Sequence, residues 1–410
     1  MADLGKISRR EFLKATAATA AVAGLGLVGA PAGGRALGAN DKINIGFVGV
    51  GNRGRYHLNK ILGMSKEPDG KVQVVAVCDI YTKRLDDAKQ RSGAPGYADY
   101  KEVLGRGDID AVFIASPDHW HAKMAIEAMK AGKDVYLEKP MTHTWQEAKE
   151  VAKVAKDTGR ILQVGAQSAS DDRWWQANKL IKDGALGKLV WTSSSYSRNS
   201  TKGEWNYNID ADASEANLDW KAFLGSAPDR PFDKERYFRW RKYWDYSGGI
   251  ATDLFYHQLS HLQIALGPEF PSRVMAGGGI YVQNDREVPD TYSTIIEYPT
   301  LHSVVLCSSM ANRQSVQEMI RGHEATMYFE APGVVVRPEK EFEDTRKEVQ
   351  AATQPRPDHW VNFLECVRTR SQPHLNADVG YKIMTAIQLG VLAFRTGKMM
   401  SFDPVKEEVI

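Results

Sequence analysis

The stretch GGIATDLFYHQLSH (248–261) sets Asp253, His257 and His261 four residues apart, so that on a helix Asp253 and His257 share a face. An imidazole can accept a hydroxyl proton near neutrality, with Asp253 orienting it or binding a neighbouring hydroxyl. Two histidines at that spacing could instead ligate a metal or simply pack on the helix. No third ligand lies near in the sequence, so no metal is expected. A second stretch, EKPMTH, puts Glu138, Lys139 and Pro140 at the end of a strand-like run, the edge where open α/β sheets bind ligands. A lysine there can hydrogen-bond a hydroxyl that is being oxidised.

A nicotinamide dinucleotide as the hydride carrier is suggested by GVGNRG. Gly49, Gly51 and Gly54 follow an apolar strand-like run and precede the periodic YHLNKIL. The first glycine permits a tight turn, the second lets backbone approach a pyrophosphate, and the third allows close helix-to-strand packing. The anion would rest at the helix N-terminus, where free N–H groups and the dipole favour it. Asp79 closes the next apolar run, where an acidic residue meets a ribose 2′-hydroxyl and repels a 2′-phosphate. The expected cofactor is therefore a tightly bound NAD rather than NADP, with Lys83 and Arg84 keeping NADP open. Asn52 and Arg53 in the turn, Glu138 beside Lys139, and Ser116, Pro117 and His121 of SPDHWH complete the expected cofactor contacts. His119 and Trp120 either touch the ligand or cap and pack their helix. Seven of the ten tryptophans lie between Trp174 and Trp244, and an indole of Trp205, Trp240 or Trp244 could stack on a sugar face.

These side chains need a scaffold at two periodicities. INIGFVGV, VQVVAVCD, DAVFIASP, DVYLEKP and RILQVGAQ read as near-continuous apolar strands, as when helices cover both faces of a parallel sheet. Helical stretches at 82–93, 122–133 and 144–159 alternate with them, the last with Ala148, Val151, Ala152 and Ala155 on one stripe. The expected fold is an N-terminal Rossmann-type, doubly wound parallel sheet over 40–167. After a connecting helix at 172–187, strands are expected at 188–197, 272–282, 291–298, 302–309, 315–322 and 325–329, with helices at 358–370 and 376–397. That is a C-terminal α+β domain, 168–410, with a large, mainly antiparallel open sheet; its late helices could return to the first domain.

The first 39 residues read as an address. Arg9 and Arg10 precede Phe12 and Leu13, an Ala/Gly/Val/Leu run follows, and small residues lead to an exit near Ala39. The arginine pair makes this look like a twin-arginine signal, hence a periplasmic or otherwise exported protein carried by that machinery. The run is glycine-broken and weakly apolar beside the about 20 apolar residues a bilayer requires, so stable membrane insertion is not expected. The leader carries five basic and two acidic side chains, so the net charge of +2 for 410 residues becomes −1 without it. No nucleic-acid partner is expected from that balance. Cys78, Cys307 and Cys366 lie far apart in apolar runs and read as three buried thiols.

GVGNRG, EKP and the Asp253/His257 helix together resemble the Gfo/Idh/MocA family of sugar oxidoreductases over about residues 42–400, most specifically in SPDHWHAKMAIEAMKAGKDVYLEKPMTH. The resemblance implies NAD(P) on the first domain, held by Gly49, Gly51, Gly54 and Asp79. It implies Lys139 as active-site lysine, Asp253 and His257 as acid/base pair, a sugar or glycoside substrate, and an open sheet that often forms a dimer or tetramer. The family helix commonly reads D-x-G-x-H-x-x-D; Phe255 and Ser260 stand here instead, which bears on substrate contacts more than on hydride chemistry. Outside the cytoplasm the hydride must return to the same bound cofactor. Either two carbonyl/alcohol pairs are coupled, or a glycoside is oxidised transiently, loses its aglycone, and is reduced again. The net oxidoreductase ranks first, the NAD-dependent glycosidase second, and a non-catalytic sugar-binding protein third.

Overall fold

A computed structural model describes residues 41–410. The leader, 1–39, lies outside the described residues. The chain opens with β1 (Ile43–Val48), α1 (Asn52–Ser65), β2 (Val72–Cys78), α2 (Thr82–Ser92), β3 (Gly96–Tyr97), α3 (Tyr100–Leu104), β4 (Ala111–Ile114), α4 (Asp118–Lys130), β5 (Asp134–Glu138), α5 (Trp145–Thr158) and β6 (Leu162–Gly165). The six strands form one parallel sheet in the order 3-2-1-4-5-6. Every residue of β1 and β5 is buried, which is why these runs lack alternation. The strand order reverses between β1 and β4, and a crevice opens at their C-terminal ends. Thr144 caps α5 with the Glu147 carboxylate returned to its N–H, and Gly159 ends the helix at φ 62°. On the α5 stripe Ala148, Val151 and Ala155 are buried as expected, with Val154 in place of the half-exposed Ala152.

The rest comprises α6 (Asp172–Lys182), β7 (Leu189–Ser195), α7 (Trp220–Leu224), α8 (Lys234–Phe238), α9 (Tyr256–Leu266), β8 (Arg273–Gly279), β9 (Thr291–Glu297), β10 (Ser303–Ser309), β11 (Met319–Gly322), β12 (Ala325–Tyr328), β13 (Gly333–Pro338), β14 (Val349–Ala352), α10 (His359–Thr369), α11 (Ala377–Thr396), β15 (Met400–Asp403) and β16 (Glu408–Val409). Ten strands form a sheet in the order 14-13-12-11-7-10-9-8-15-16, antiparallel except where β7 meets β10. β7 is inserted between β11 and β10 after a long excursion, so its neighbour can run parallel. Buried and exposed positions alternate along β9 and β10, leaving one face open.

Besides the two-residue β3 at the edge of the parallel sheet, four strands, β13 to β16, were not expected. β13 begins with four buried residues and so lacks alternation, while the other three are short and lie at or next to the ends of the sheet. β8 stops at Gly279 rather than 282 because the N–H groups of Tyr281, Val282 and Gln283 turn onto the Asp290 carboxylate. The connecting helix ends at Lys182 rather than 187. α11 packs between α5 and β8, so one hydrophobic core runs from sheet to sheet, while α10 covers Phe47, Phe113 and Tyr136 on the other face of the parallel sheet. The three thiols are free, and Cys307 is half-exposed rather than buried because its side chain belongs to the open face.

Candidate active site

A cavity of about 610 Å³ occupies the crevice. Gly49 sits at φ +80°, and a Cβ there would meet the Ala115 carbonyl oxygen at 2.8 Å. A Cβ on Gly54 would lie 1.9 Å from the Gly49 carbonyl oxygen. These two glycines are required by the chain itself. Gly51 differs, since the nearest atom to its absent Cβ is the Arg84 guanidinium at 2.9 Å, the mobile end of a long side chain. Gly51 and that guanidinium both line the cavity. Asp79 accepts from the N–H groups of Val50 and Tyr81, both at 2.9 Å, tying the turn to the end of β2; burial pushes its carboxyl up against the pull of Arg84. Ser116 Oγ, on the cavity wall, is buried without a hydrogen-bond partner. A side-chain-free glycine turn on the cavity wall, a cation over it and an orphaned hydroxyl fit a dinucleotide. Asn52, Arg53, Pro117 and Glu138 line the same cavity.

Glu138 is the hub beneath it. Its Oε1 accepts from Arg53 Nε and His57 Nε2, each at 2.7 Å, and Oε2 from the Lys139 N–H. His57 Nδ1 accepts in turn from Trp360 Nε1 at 2.9 Å, so α1, β5 and α10 are locked together. Burial pushes the Glu138 carboxyl up, but Arg53, His57 and Lys139 outweigh it and hold the carboxyl well below the usual range.

Lys139 Nζ donates to Asp253 Oδ1 at 2.6 Å and to the Asp253 carbonyl at 2.9 Å. Arg241 Nε adds a bond to Oδ1 at 3.0 Å, and Trp205 Nε1 one to Oδ2 at 3.0 Å. Despite its burial, Asp253 is kept ionised by Lys139 and Arg241. Asp253 does not sit on a regular α-helix: residues 251–255 form a π-helical turn before α9, a feature frequent at functional sites. Its oxygens are taken by cations and an indole, and it does not bond His257, so of the two roles expected for Asp253 the orienting of His257 by a direct hydrogen bond is not seen. His257 lines the cavity against Tyr196, with no protein hydrogen bond among the described residues. Burial and Lys139 push its pKa down to about 3, and the ring is neutral.

Four candidate ligand contacts lie elsewhere. His119 is buried away from the cavity against Phe223, bonded to that residue's carbonyl. Trp205 is buried behind Asp253 with its N–H spent there, and Trp244 packs on Phe394 and Arg395. His121 is not on the wall either: its ring is wedged between the carbonyls of Ser116 and Pro140, joining the ends of β4 and β5. His261 stacks on Trp174 and bonds Glu318. Trp120 and Trp240 do line the cavity. So do four residues that sequence reasoning passed over, Asp118, Arg198, Tyr207 and Arg241. Asp118, the first residue of α4, accepts from Thr252 Oγ1 at 3.4 Å, and burial pushes its pKa up to about 7 against Arg241 and Lys139.

Buried neutral histidines make stability acid-sensitive. Burial holds His119 and His257 down to about 3 and His359 to about 4, whereas the unfolded chain takes up these protons at about 6.5. Stability is therefore intact above about 6.5 and falls as the pH drops towards 4, by up to about 1.4 kcal/mol per histidine per pH unit. Urea midpoints measured from pH 7.5 to 4.5 should decline steeply; a flat profile would contradict neutral burial of these rings.

Glycine turn, lysine-bearing strand end and open sheet define a class, the dinucleotide-binding Rossmann proteins with a large α/β partner domain. Residues 43–166 match the oxidoreductase family, NAD-binding Rossmann fold, and 172–410 match the C-terminal alpha/beta domain of that oxidoreductase family. The chain belongs to the Gfo/Idh/MocA oxidoreductase family. Residues 6–26 match the twin-arginine translocation pathway signal sequence, so the chain carries an export signal for that route; no helix among the described residues is long and apolar enough to cross a membrane. A glycosyl hydrolase family 109 protein of Shewanella baltica is 30% identical over 166 residues, 38% of this chain and 35% of that one. The match thus spans about a third of that curated relative. Solved structures share the fold: the WlbA dehydrogenase of Bordetella pertussis with NADH and UDP-GlcNAcA (20% identity, TM-score 0.65, 88% of this chain and 99% of that one) and levoglucosan dehydrogenase with NADH and levoglucosan (18%, 0.67, 88% and 99%).

Proposed function

We propose that the chain is an exported oxidoreductase acting on a CH–OH or ketone of a sugar or glycoside, with residues 40–167 holding NAD and 168–410 the substrate. The observation that carries this reading is Lys139 Nζ, fixed by Asp253 in the cavity that adjoins the glycine turn. A bound nicotinamide dinucleotide supplies the hydride acceptor and donor. Lys139 spends two of its three N–H donors on Asp253 and has one left for the reacting oxygen. His257, neutral, can accept the hydrogen bond of the hydroxyl. Asp118 carries a carboxyl able to take or give a proton near pH 7, where general acid–base groups work best. Denaturing the exported protein should release NAD at close to one per chain; an empty protein that also takes up neither NAD nor NADP sinks the proposal.

A second reading, a glycosidase that oxidises transiently and eliminates, is favoured by the likeness to the Shewanella glycosyl hydrolase and by Asp118 as an extra proton carrier. Aryl glycosides without added cofactor separate the two. Aryl release with deuterium entering from heavy water supports the glycosidase, and keto-sugar without release the oxidoreductase. We also propose a homo-oligomer through the open face of the ten-stranded sheet, where Trp191 and Ile295 are exposed; light scattering on a Trp191→Glu, Ile295→Glu variant should show a smaller species than the parent.

A further inference from the structure

We propose that the sugar taken by this site bears an anionic group, a carboxylate or phosphate ester, gripped by Arg198 and Arg241; this rests on the oxidoreductase reading above. Both guanidiniums line the cavity from the second domain, on the wall that carries Asp253. Arg241 uses only Nε, on Asp253 Oδ1; its two terminal nitrogens have no hydrogen bond among the described residues, and its Cζ lies 4.1 Å from the centroid of the Trp240 ring. Arg198 stacks on Tyr196 at 4.5 Å, and the nearest acid oxygen, Glu204 Oε2, is 3.9 Å away, beyond hydrogen-bond range. Tyr207 lines the same cavity as both cations.

The charge account points the same way. Lys139 and Arg241 share one firmly ionised carboxylate, Asp253, which also accepts from Trp205, while Arg198 faces Asp253 and Glu204 without a hydrogen bond to either. Asp118 is a weaker counter-charge, because burial pushes its carboxyl up towards the neutral form. Cations sequestered without full compensation are costly unless an anion joins them. A planar guanidinium with free terminal N–H groups matches a carboxylate or phosphate in bidentate fashion. The dinucleotide's own diphosphate does not answer this need, since its place is at the glycine turn and the N-terminus of α1. Arg84 already stands there.

Calorimetric titration of the exported, dinucleotide-loaded protein with glucuronate, galacturonate and mannuronate, with the three parent hexoses and with their 6-phosphates tests this. At least one anionic sugar should bind tenfold or more tighter than its parent hexose, as charged hydrogen bonds of this kind provide. Arg198→Gln should collapse that ratio towards one, and Arg198→Lys, which keeps the charge without the fork, should leave it intermediate. Preference for hexuronates assigns a carboxylate and preference for 6-phosphates a phosphate. Equal affinity for hexose and anion, or no sugar binding with dinucleotide in place, overturns the inference. Nucleotide released from the same preparation reports on the oxidoreductase reading separately.

Discussion

Lys139→Met should lower turnover by about a thousandfold while the dinucleotide released on denaturation stays at the parental amount. A positioned acid–base or hydrogen-bonding group is worth about 10² to 10⁴ in rate. Lys139 is the one side chain bonded to Asp253 that also extends from the parallel sheet, at the end of β5. Methionine fills most of the volume and leaves Arg53, Gly51 and Asp79 untouched, so cofactor retention is not expected to change. It also strips Asp253 of a cation, leaving Arg241 and Trp205, and some loss of thermal stability should accompany the loss of rate. Single-turnover absorbance of the bound nicotinamide separates the two effects. Parental turnover in this variant would remove Lys139 from the chemistry.

Glu138→Gln should destabilise the protein by about 3–5 kcal/mol, the usual cost of removing one partner from a buried ionic network. Here one carboxylate serves Arg53, His57 and the Lys139 N–H at once, and an amide cannot accept from all of them with the same geometry. Its dependence on pH has a defined sign. The folded carboxyl is held below its unfolded value, so its contribution is present above about 4.3 and is lost as the pH falls through the folded value. Parent and variant should therefore converge in urea midpoint as the pH drops below about 4. A constant difference down to pH 3 would show that packing, not charge, explains the loss.

Fold class was legible because both cues are local. Continuous apolar runs separated by amphipathic helices announce a covered parallel sheet, and Gly49-x-Gly51-x-x-Gly54 after a strand announces the turn. The later edge strands were illegible because β14 and β16 are short pairings at the sheet ends, with neither burial nor alternation to mark them. In SPDHWH the histidines attracted attention by residue type. The first turn of α4 instead sends Asp118 and Trp120 to the cavity, and His119 and His121 to carbonyls of Phe223, Ser116 and Pro140. A hundred degrees per residue decides such matters, and no single-sequence pattern reveals which face a crevice will take.

By itself, the sequence determined the export address, the two-part α/β architecture, the glycine turn and the lysine at a strand end, since each depends on residues within about twenty positions of one another. Tertiary structure decided the rest. Asp253 is recruited by Lys139, Arg241 and Trp205 across 114, 12 and 48 positions rather than by His257 four residues away. The balance of charge in the cavity, and with it the ionisation of Asp118 and Asp253, arises only when distant segments exclude water together, because Coulomb forces and desolvation depend on distance in space and not along the chain.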